Sequence, residues 1–258
     1  MNKSDADRES YSLSFILATL YVSAIYKSRA HHPMLIPGHR SYPSSPAVPQ
    51  DILDRLRGVA VAVVSDNMNR LHGTRVLKPF GAVGLVGTAV TVKTRAGDNM
   101  TIHQAYEVLR PGDVLVVDGG GDMEQALVGE IMMARAKAMG VAGFVIDGAI
   151  RDVAAFKDSD FPCFARGVTH RGPYKSGPGE INVPVSIDGM VVMPGDVVLG
   201  DNDGVVAFPP SIAEELLALV HRQEEREANA LAAIREGRFD NSYIGLHGIS
   251  KEATNERR

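Results

Sequence analysis

The sequence is poor in cysteine, because Cys163 is the single one among 258 residues. One cysteine excludes an intrachain disulfide framework and a zinc site built from several cysteines. A chain without disulfides fits a reducing compartment, so we expect a cytoplasmic protein. An excess of one charge is also lacking, because acidic and basic residues are mixed along a chain of formal net charge −4. With no basic block and no basic stripe interleaved with aromatics, we expect no nucleic-acid partner.

Several common functional motifs are absent as well. There is no P-loop and no nucleophile elbow, and the glycines at 119–121 do not fit the G-x-G-x-x-G pattern of a dinucleotide site. The eight histidines form no spaced set of metal ligands, and His103 is expected to be structural. Asp201 and Asp203 lack the EF-hand spacing and predict a turn.

The N-terminal region differs from the rest of the chain. Residues 11–26 are uncharged and largely apolar, but acidic residues precede them where a signal peptide carries basic ones. The run is shorter than the ~20 residues that span a bilayer, so we expect no membrane partner. A segment rich in His, Pro and Ser follows, as in a linker. We therefore expect residues 1–48 to lie outside the fold, with Met34 as an alternative start, residues 49–240 to form the domain and residues 241–258 to form a tail.

Hydrophobic periodicity predicts mixed helices and strands within the domain. The predicted helices cover residues 50–57, residues 66–70 with Ser65 as cap, residues 101–109, a short stretch after Arg151, and the amphipathic residues 209–237. The predicted strands lie within residues 83–93, 114–117 and 143–146, and the apolar run 59–64 fits a strand or a buried segment. Glycines at 119–121 and 148 predict tight turns at strand ends. Because strands and helices do not strictly alternate, the pattern favours a compact α/β domain over a doubly wound sheet.

Gly129 interrupts a region that is otherwise suited to a helix. One interpretation is a helix that begins near Glu130 and ends near Gly140, with the N–H groups of Glu130, Ile131 and Met132 free at its start. Such a helix N-terminus receives carboxylates well, and Gly129 would let a ligand approach. The alternative is a continuous helix over residues 124–139, in which the glycine only helps helix packing.

The pair Arg151-Asp152 follows the apolar strand GFVIDG. Loops at strand ends commonly carry functional groups in α/β folds. Arginine can hold a carboxylate or ketone oxygen with two donors, and aspartate is a hard oxygen ligand for Mg²⁺ or Mn²⁺. A solvated ion pair or a helix cap is the alternative interpretation.

A basic segment follows the Arg151-Asp152 pair in the sequence. Arg166, His170, Arg171 and Lys175 lie within ARGVTHRGPYK. This segment could attract an anionic substrate, or it could be a solvated loop.

The spacing of these residues resembles a known family. Glu130 is followed by twenty residues and then by Arg151-Asp152, which is similar to the acid-x20-Arg-Asp signature of the RraA-like class II pyruvate aldolases. These include 4-hydroxy-4-methyl-2-oxoglutarate/4-carboxy-4-hydroxy-2-oxoadipate aldolase. The resemblance continues through FARGVTHRGPYKSGPGEINVPVSIDGMVVMPGDVVLGDNDGVVAFP and covers roughly residues 49–237.

The resemblance implies a β/β/α swivelling-type domain with a C-terminal helix, assembled as a trimer or hexamer with sites between subunits. It implies that Asp152 binds Mg²⁺, or another divalent ion, directly and that Glu130 binds it through water. A further acid would come from a neighbouring subunit's C-terminal helix. Glu227 matches best by spacing, with Glu224 and Glu225 as alternatives.

The resemblance also implies a substrate site and a reaction. Arg151, with the backbone at Gly129, Ile131 and Met132, would hold the pyruvate part of a small 2-oxo acid. The reaction would be cleavage of 4-hydroxy-4-methyl-2-oxoglutarate-type substrates to pyruvate and a 2-oxo acid, with oxaloacetate decarboxylation as a second activity. The alternative is a regulator that binds and inhibits a ribonuclease. Regulators of this family tend to lack the acidic residue at the position of Glu130, so its presence favours the enzyme.

Overall fold

A computed structural model describes residues 36–238 of the chain. Its helices are α1 (Gln50–Leu56), α2 (Val61–Asn67), α3 (Met100–Ala105), α4 (Glu130–Ala138), α5 (Val153–Lys157) and α6 (Ala213–Arg235), the last preceded by a 3-10 turn at Pro210–Ile212. Its strands are β1 (Lys78–Pro79), β2 (Leu85–Thr94), β3 (Asp113–Val128), β4 (Gly143–Ile150), β5 (Cys163–Val168), β6 (Gly179–Ile181), β7 (Val185–Ile187), β8 (Met190–Val192), β9 (Val197–Asp201) and β10 (Gly204–Phe208).

The main sheet has the order β1-β5-β4-β3-β2-β9-β10, and β6 pairs with the end of β2. Strands β2 to β5 are parallel neighbours. Because parallel neighbours need a crossover, α3, α4 and α5 each connect one strand to the next. The remaining strands of this sheet pair antiparallel to their neighbours. The sequence pattern had not predicted these three successive βαβ units.

Alternation along the strands divides the core between the two faces of the sheet. On β2, Val90 and Val92 pack with the helical residues Ile102 and Met133. Leu85 faces the other way and packs with the β7–β8 hairpin. Helices α1, α2 and α6 form a further cluster on the helical face. The layers are therefore hairpin, sheet and helices, so the expected β/β/α arrangement with a C-terminal helix is confirmed and the sheet is not doubly wound.

The strand offered for residues 59–64 and the helix bounds predicted for residues 66–70 are wrong, whereas the alternative of a buried apolar segment at 59–64 is confirmed by Val61, Val63 and Val64. These residues were expected to form an apolar run followed by a helix capped by Ser65, but α2 spans Val61–Asn67 with Ala60 as its N-cap. The Asp201 carboxylate accepts a hydrogen bond from the Val61 amide at 2.9 Å and so holds the start of the helix. Val64 is fully buried in the cluster with α1 and α6, and this tertiary burial outweighs the weak helix propensity of valine.

The tight turn predicted at residues 119–121 does not end its strand. Strand β3 continues to Val128, although its pairing with β4 shifts register between Asp118 and Asp122. Gly120 and Gly121 have φ of 68° and 72°, which explains the glycines at this irregular point. The continuation brings β3 level with the end of β4.

The last part of the predicted linker contacts the domain. The Arg40 guanidinium pairs with Glu180 of β6, with 2.9 Å between Nη2 and Oε2, and the Gly38 amide donates to the same carboxylate. The Tyr42 amide donates to the Ile181 carbonyl at 3.1 Å. Residues 1–35 and 239–258, which include the apolar N-terminal run and the predicted tail, lie outside the described residues.

Across residues 36–238, no helix is both long enough and apolar enough to cross a membrane.

We predict that Arg40→Ala lowers the melting temperature at pH 7 by roughly 4 °C or more, because it leaves a buried carboxylate without its partner. The hydrogen bonds from the Arg40 side chain and the Gly38 amide hold the pKa of Glu180 below its usual value. This stabilisation is therefore present above the ordinary carboxylate pKa of about 4.3 and is lost as the pH falls through the lowered value. The difference in melting temperature between wild type and variant should therefore narrow as the pH falls below about 4.3.

The matched control is Arg57→Ala. Arg57 pairs with Asp54 on α1, and both side chains are exposed, so its loss should change the melting temperature little. Equal melting temperatures for wild type and Arg40→Ala at pH 7 would contradict the prediction.

Candidate active site

The candidate site forms where two neighbouring parallel strands end together. Val128, the last residue of β3, lies opposite Ile150, the last residue of β4. The Arg151 amide donates to the Val128 carbonyl at 3.1 Å. Gly129 and Arg151 therefore leave the sheet side by side at its carboxyl edge, where open α/β sheets usually bind ligands.

Helix α4 begins at Glu130 with Gly129 as its N-cap. The helix start predicted near Glu130 is thus confirmed, and the continuous helix over residues 124–139 is wrong, because residues 124–128 belong to β3. The Glu130 amide donates to Asp152 Oδ2 at 3.0 Å. The amides of Ile131 and Met132 find no acceptor within residues 36–238. Two N–H groups at a helix N-terminus are therefore without an acceptor in the described residues, which is the first requirement of an anion site.

Asp152 occupies an unusual backbone conformation. Its φ of 58° and ψ of 39° lie in the left-handed region, which aspartate tolerates better than most residues. It stands at the N-cap position of α5, but its side chain makes no capping bond to that helix. The carboxylate reaches across to α4 instead, and Arg151 Nε lies 3.6 Å from Asp152 Oδ2. The fold therefore brings Glu130, Arg151 and Asp152 together.

Gly129 provides the space for this arrangement. A Cβ atom at this position would lie 2.4 Å from Asp152 Oδ2 and 3.0 Å from Arg151 Cγ. Its φ of −155° is accessible to any residue, so the glycine is needed for close approach and not for backbone conformation.

The carboxylates present suit a hard divalent cation. Asp152 and Glu130 supply the oxygen donors that Mg²⁺ and Mn²⁺ prefer. Within the described part of the chain, no three His, Cys, Asp or Glu side chains lie close enough together to hold a metal. One chain thus fits such an ion only if water or another chain completes its coordination.

The third expected ligand lies elsewhere in the same chain. Glu227 is on α6, where its carboxylate accepts a hydrogen bond from Gln223 at 2.8 Å. Glu225 lies 3.3 Å from His221 on the same helix. Helix α6 packs against α1 and α2, so a single chain does not bring these acids to Asp152.

The basic segment after β5 crosses the ends of three strands. The Thr169 amide donates to the Ile150 carbonyl, and the Arg171 carbonyl accepts from the Ala126 amide. The Tyr174 amide donates to the Gly97 carbonyl beyond β2. This loop therefore passes directly over the candidate site.

Its charged residues have different surroundings. Arg166 lies in β5 and pairs with the buried Asp147, and this hydrogen bond raises the pKa of the arginine. Arg171 pairs with Glu124 at 2.8 Å. His170 and Lys175 are exposed, so the structure leaves both interpretations of the loop open for them.

Two polar residues next to α3 contact the site segment and were not predicted from the sequence. The Asn99 side-chain amide donates to the Leu127 carbonyl at 3.0 Å, and the Tyr106 hydroxyl donates to the Met132 carbonyl at 2.7 Å. Both residues are buried. No local motif marks them, because the contacts join residues about 26 to 28 positions apart.

Two further predictions concern residues away from this site. The turn predicted at Asp201 and Asp203 is confirmed, since the Asp203 amide donates to Asp201 Oδ1 between β9 and β10. His103 lies on α3, and burial together with the charges of Lys175 and Arg135 lowers its pKa.

Fold and site together define an α/β protein in which the N-terminus of a helix lies beside an Arg-Asp pair. The family model described as Aldolase/RraA matches residues 61–207. A Halalkalibacterium halodurans protein named "Putative 4-hydroxy-4-methyl-2-oxoglutarate aldolase" is 39% identical over 67% of this chain and 84% of its own length. The chain therefore belongs to the RraA-like family.

Solved structures share the fold. A protein from Pseudomonas syringae pv. tomato superposes with a TM-score of 0.66 at 28% identity, over 75% of this chain and 96% of its own. The RNA-processing inhibitor RraA from Thermus thermophilis gives a TM-score of 0.54 at 32% identity, over 58% of this chain and 92% of its own. The likeness thus extends to proteins whose names indicate different functions.

We predict that Gly129→Ala displaces the Asp152 carboxylate and so breaks its hydrogen bond with the Glu130 amide. The added methyl group should cost about 1 kcal/mol of stability through overpacking, and hydrogen exchange at the Glu130 amide should become roughly tenfold faster. Lys137→Ala, near the other end of α4, is the control and should leave that exchange rate unchanged. Unaltered exchange in Gly129→Ala would show that the site tolerates the methyl group.

Proposed function

We propose that this protein is a cytoplasmic, divalent-metal-dependent lyase, a class II pyruvate aldolase. Its substrates would be 4-hydroxy-4-methyl-2-oxoglutarate-type acids, cleaved to pyruvate and a 2-oxo acid, with oxaloacetate decarboxylation as a second activity. The observation that carries the proposal is that Arg151 and Asp152 lie next to the N-terminus of α4, where N–H groups have no acceptor in the described residues. The aldolase name of the 39% identical relative supports it.

The substrate's pyruvate half would lie between α4 and Arg151. Its carboxylate would accept hydrogen bonds from the Ile131 and Met132 amides, where the helix dipole favours negative charge. The Arg151 guanidinium, about half exposed, is free to turn toward the 2-oxo oxygen. Gly129 leaves room for this approach.

Asp152 would hold the divalent ion directly and Glu130 would hold it through water, with Mg²⁺ or Mn²⁺ suited to these donors. When bound, the ion would supply Lewis acidity toward the 2-oxo group. Arg151 would stabilise the negative charge that develops on that oxygen as the carbon–carbon bond breaks. Glu130 would take the proton of the 4-hydroxyl group, directly or through water, and return a proton to C3 of the pyruvate enolate.

Oxaloacetate would react through the same enolate. Carbon dioxide leaves in place of the carbonyl product, and the electron pair of the broken bond forms the enolate that Arg151 stabilises. Solvent water then supplies a proton to C3, which gives pyruvate, and the hydroxide left behind combines with the released carbon dioxide as bicarbonate.

We further propose a homotrimer or homohexamer with sites between subunits. Large apolar side chains are exposed around the site, with Ile131 at 83%, Tyr174 at 59%, Val168 at 50% and Met123 at 40%. Exposed apolar groups clustered in this way commonly mark a protein interface. A neighbouring subunit could also supply Glu227, which its own chain keeps away from Asp152.

A mixing experiment tests the shared site. Asp152→Asn and Glu227→Gln chains should each be inactive alone, but should regain about a quarter of wild-type activity when unfolded, mixed in equal amounts and refolded, since a quarter of random interfaces carry both native residues. An active Glu227→Gln protein would assign the third acid to another residue. Absence of any recovery from two inactive parents, with trimers present by sedimentation, would contradict a site shared between chains.

The principal prediction concerns pyruvate release from oxaloacetate and from 4-hydroxy-4-methyl-2-oxoglutarate. We expect turnover with Mg²⁺, none with EDTA, and a loss of at least ~100-fold in Asp152→Asn, which removes the charge at the centre of the site. Asparagine tolerates the left-handed conformation, so the variant should fold. Asp158→Asn, an exposed residue at the end of α5, is the matched control and should retain full activity.

A ribonuclease regulator remains the alternative, which the likeness to the Thermus RraA structure favours. The presence of an acidic residue at position 130, whose backbone amide contacts Asp152, favours the enzyme. If folded, metal-loaded protein turns over neither substrate, the lyase proposal fails, and inhibition of a ribonuclease becomes the next measurement.

A further inference from the structure

The segment that carries the site is held from both ends of α3. Asn99, the N-cap of α3, donates from its side-chain amide to the Leu127 carbonyl. Tyr106, the C-cap, donates from its hydroxyl to the Met132 carbonyl at 2.7 Å. Gly129, with the start of α4, lies between these two points of attachment.

Burial keeps the hydrogen bond from Tyr106 in place as the pH changes. The residue is 2% exposed, and burial raises the pKa of its phenol well above the ordinary value. The hydroxyl therefore stays protonated and remains a donor over the whole pH range in which the protein would work.

Tyr106 contacts α4 at a second point, one turn further along. The Arg135 guanidinium lies over the Tyr106 ring, 4.5 Å from its centroid, in a cation–π contact. The same guanidinium is 3.8 Å from Glu107. Two contacts three residues apart restrict both the position of the first turn and the rotation of α4 about its axis.

Tyr106 binds the carbonyl of Met132, a residue whose N–H group belongs to the proposed carboxylate site. Met132 presents its carbonyl to the tyrosine, while its amide N–H finds no acceptor in the described chain. Both groups are attached to the same Cα atom, so a displacement of the Met132 carbonyl would also misdirect the N–H groups that we assign to the substrate carboxylate. The backbone of Arg151 and Asp152 follows another strand end, where the Arg151 amide donates to the Val128 carbonyl, and only the Asp152 side chain contacts α4.

We infer that Tyr106 is a positioning residue that sets the affinity of the site for the carboxylate of its 2-oxo acid substrate. It touches no substrate and acts through the Met132 peptide and the first turn of α4. The inference rests on the proposed function, because that function assigns the carboxylate to these N–H groups.

The test is Tyr106→Phe in the full chain, with oxaloacetate and Mg²⁺. The variant keeps the buried ring and its contact with Arg135 and removes only the hydroxyl. The KM should rise by about three- to tenfold, the effect of losing one positioning hydrogen bond, while kcat stays within about twofold. Hydrogen exchange at the Met133 amide, which shares a peptide unit with the Met132 carbonyl and donates to the Gly129 carbonyl, should also become faster.

Tyr42→Phe is the matched control. Tyr42 is a partly buried tyrosine that packs against the cluster on the opposite face of the sheet, and its hydroxyl donates no hydrogen bond among residues 36–238. The KM of this variant and hydrogen exchange at its Met133 amide should equal those of wild type.

The outcomes separate this inference from the proposed function. An active wild type with unchanged KM in Tyr106→Phe overturns the inference and leaves the function standing, and so does a fall in melting temperature alone. A raised KM without faster exchange at the Met133 amide also overturns it, since the effect would not pass through α4. A wild type that turns over no substrate overturns both.

Discussion

The parallel pairing of β3 with β4 up to their last residues is the constraint on which the candidate site depends. Val128 lies opposite Ile150, and the Arg151 amide closes the ladder on the Val128 carbonyl. Because the strands end level, the helix that follows one and the Arg-Asp pair that follows the other start at the same edge. If β3 ended at its glycines, where its register shifts, the pairing of β3 with β4 would not place Glu130 next to Asp152.

Local strain and close packing at this edge serve contacts between elements. Asp152 adopts a left-handed conformation, and its side chain does not cap α5. Its carboxylate instead accepts a hydrogen bond from the Glu130 amide. Because Gly129 has no side chain, the Asp152 carboxylate and Arg151 can lie close to the backbone at this position. Such departures from local preference are typical of functional sites, because the surrounding fold holds them in place.

The same fold accommodates proteins with different named functions, so the architecture alone does not determine the activity. The proteins of this fold would differ in the side chains that follow the strand ends, such as the acidic residue at the start of α4. A helix start without an acidic residue can still receive a carboxylate, but it offers no group to move a proton. In the proposed function Glu130 supplies that group, and a neighbouring subunit covers the exposed apolar side chains around it, of which Ile131 is the most exposed.

The sequence by itself determined the acid-x20-Arg-Asp spacing, the helix start at Glu130, the long C-terminal helix and the β/β/α class, because these depend on local pattern and on resemblance to a family. Only the tertiary structure decided that residues 61–67 form a helix, since burial of Val64 and the Asp201 contact override the propensity of valine. It also decided that β3 runs past its glycines and that Tyr106 holds α4. Those features depend on pairings between residues far apart in the chain, which no local periodicity records.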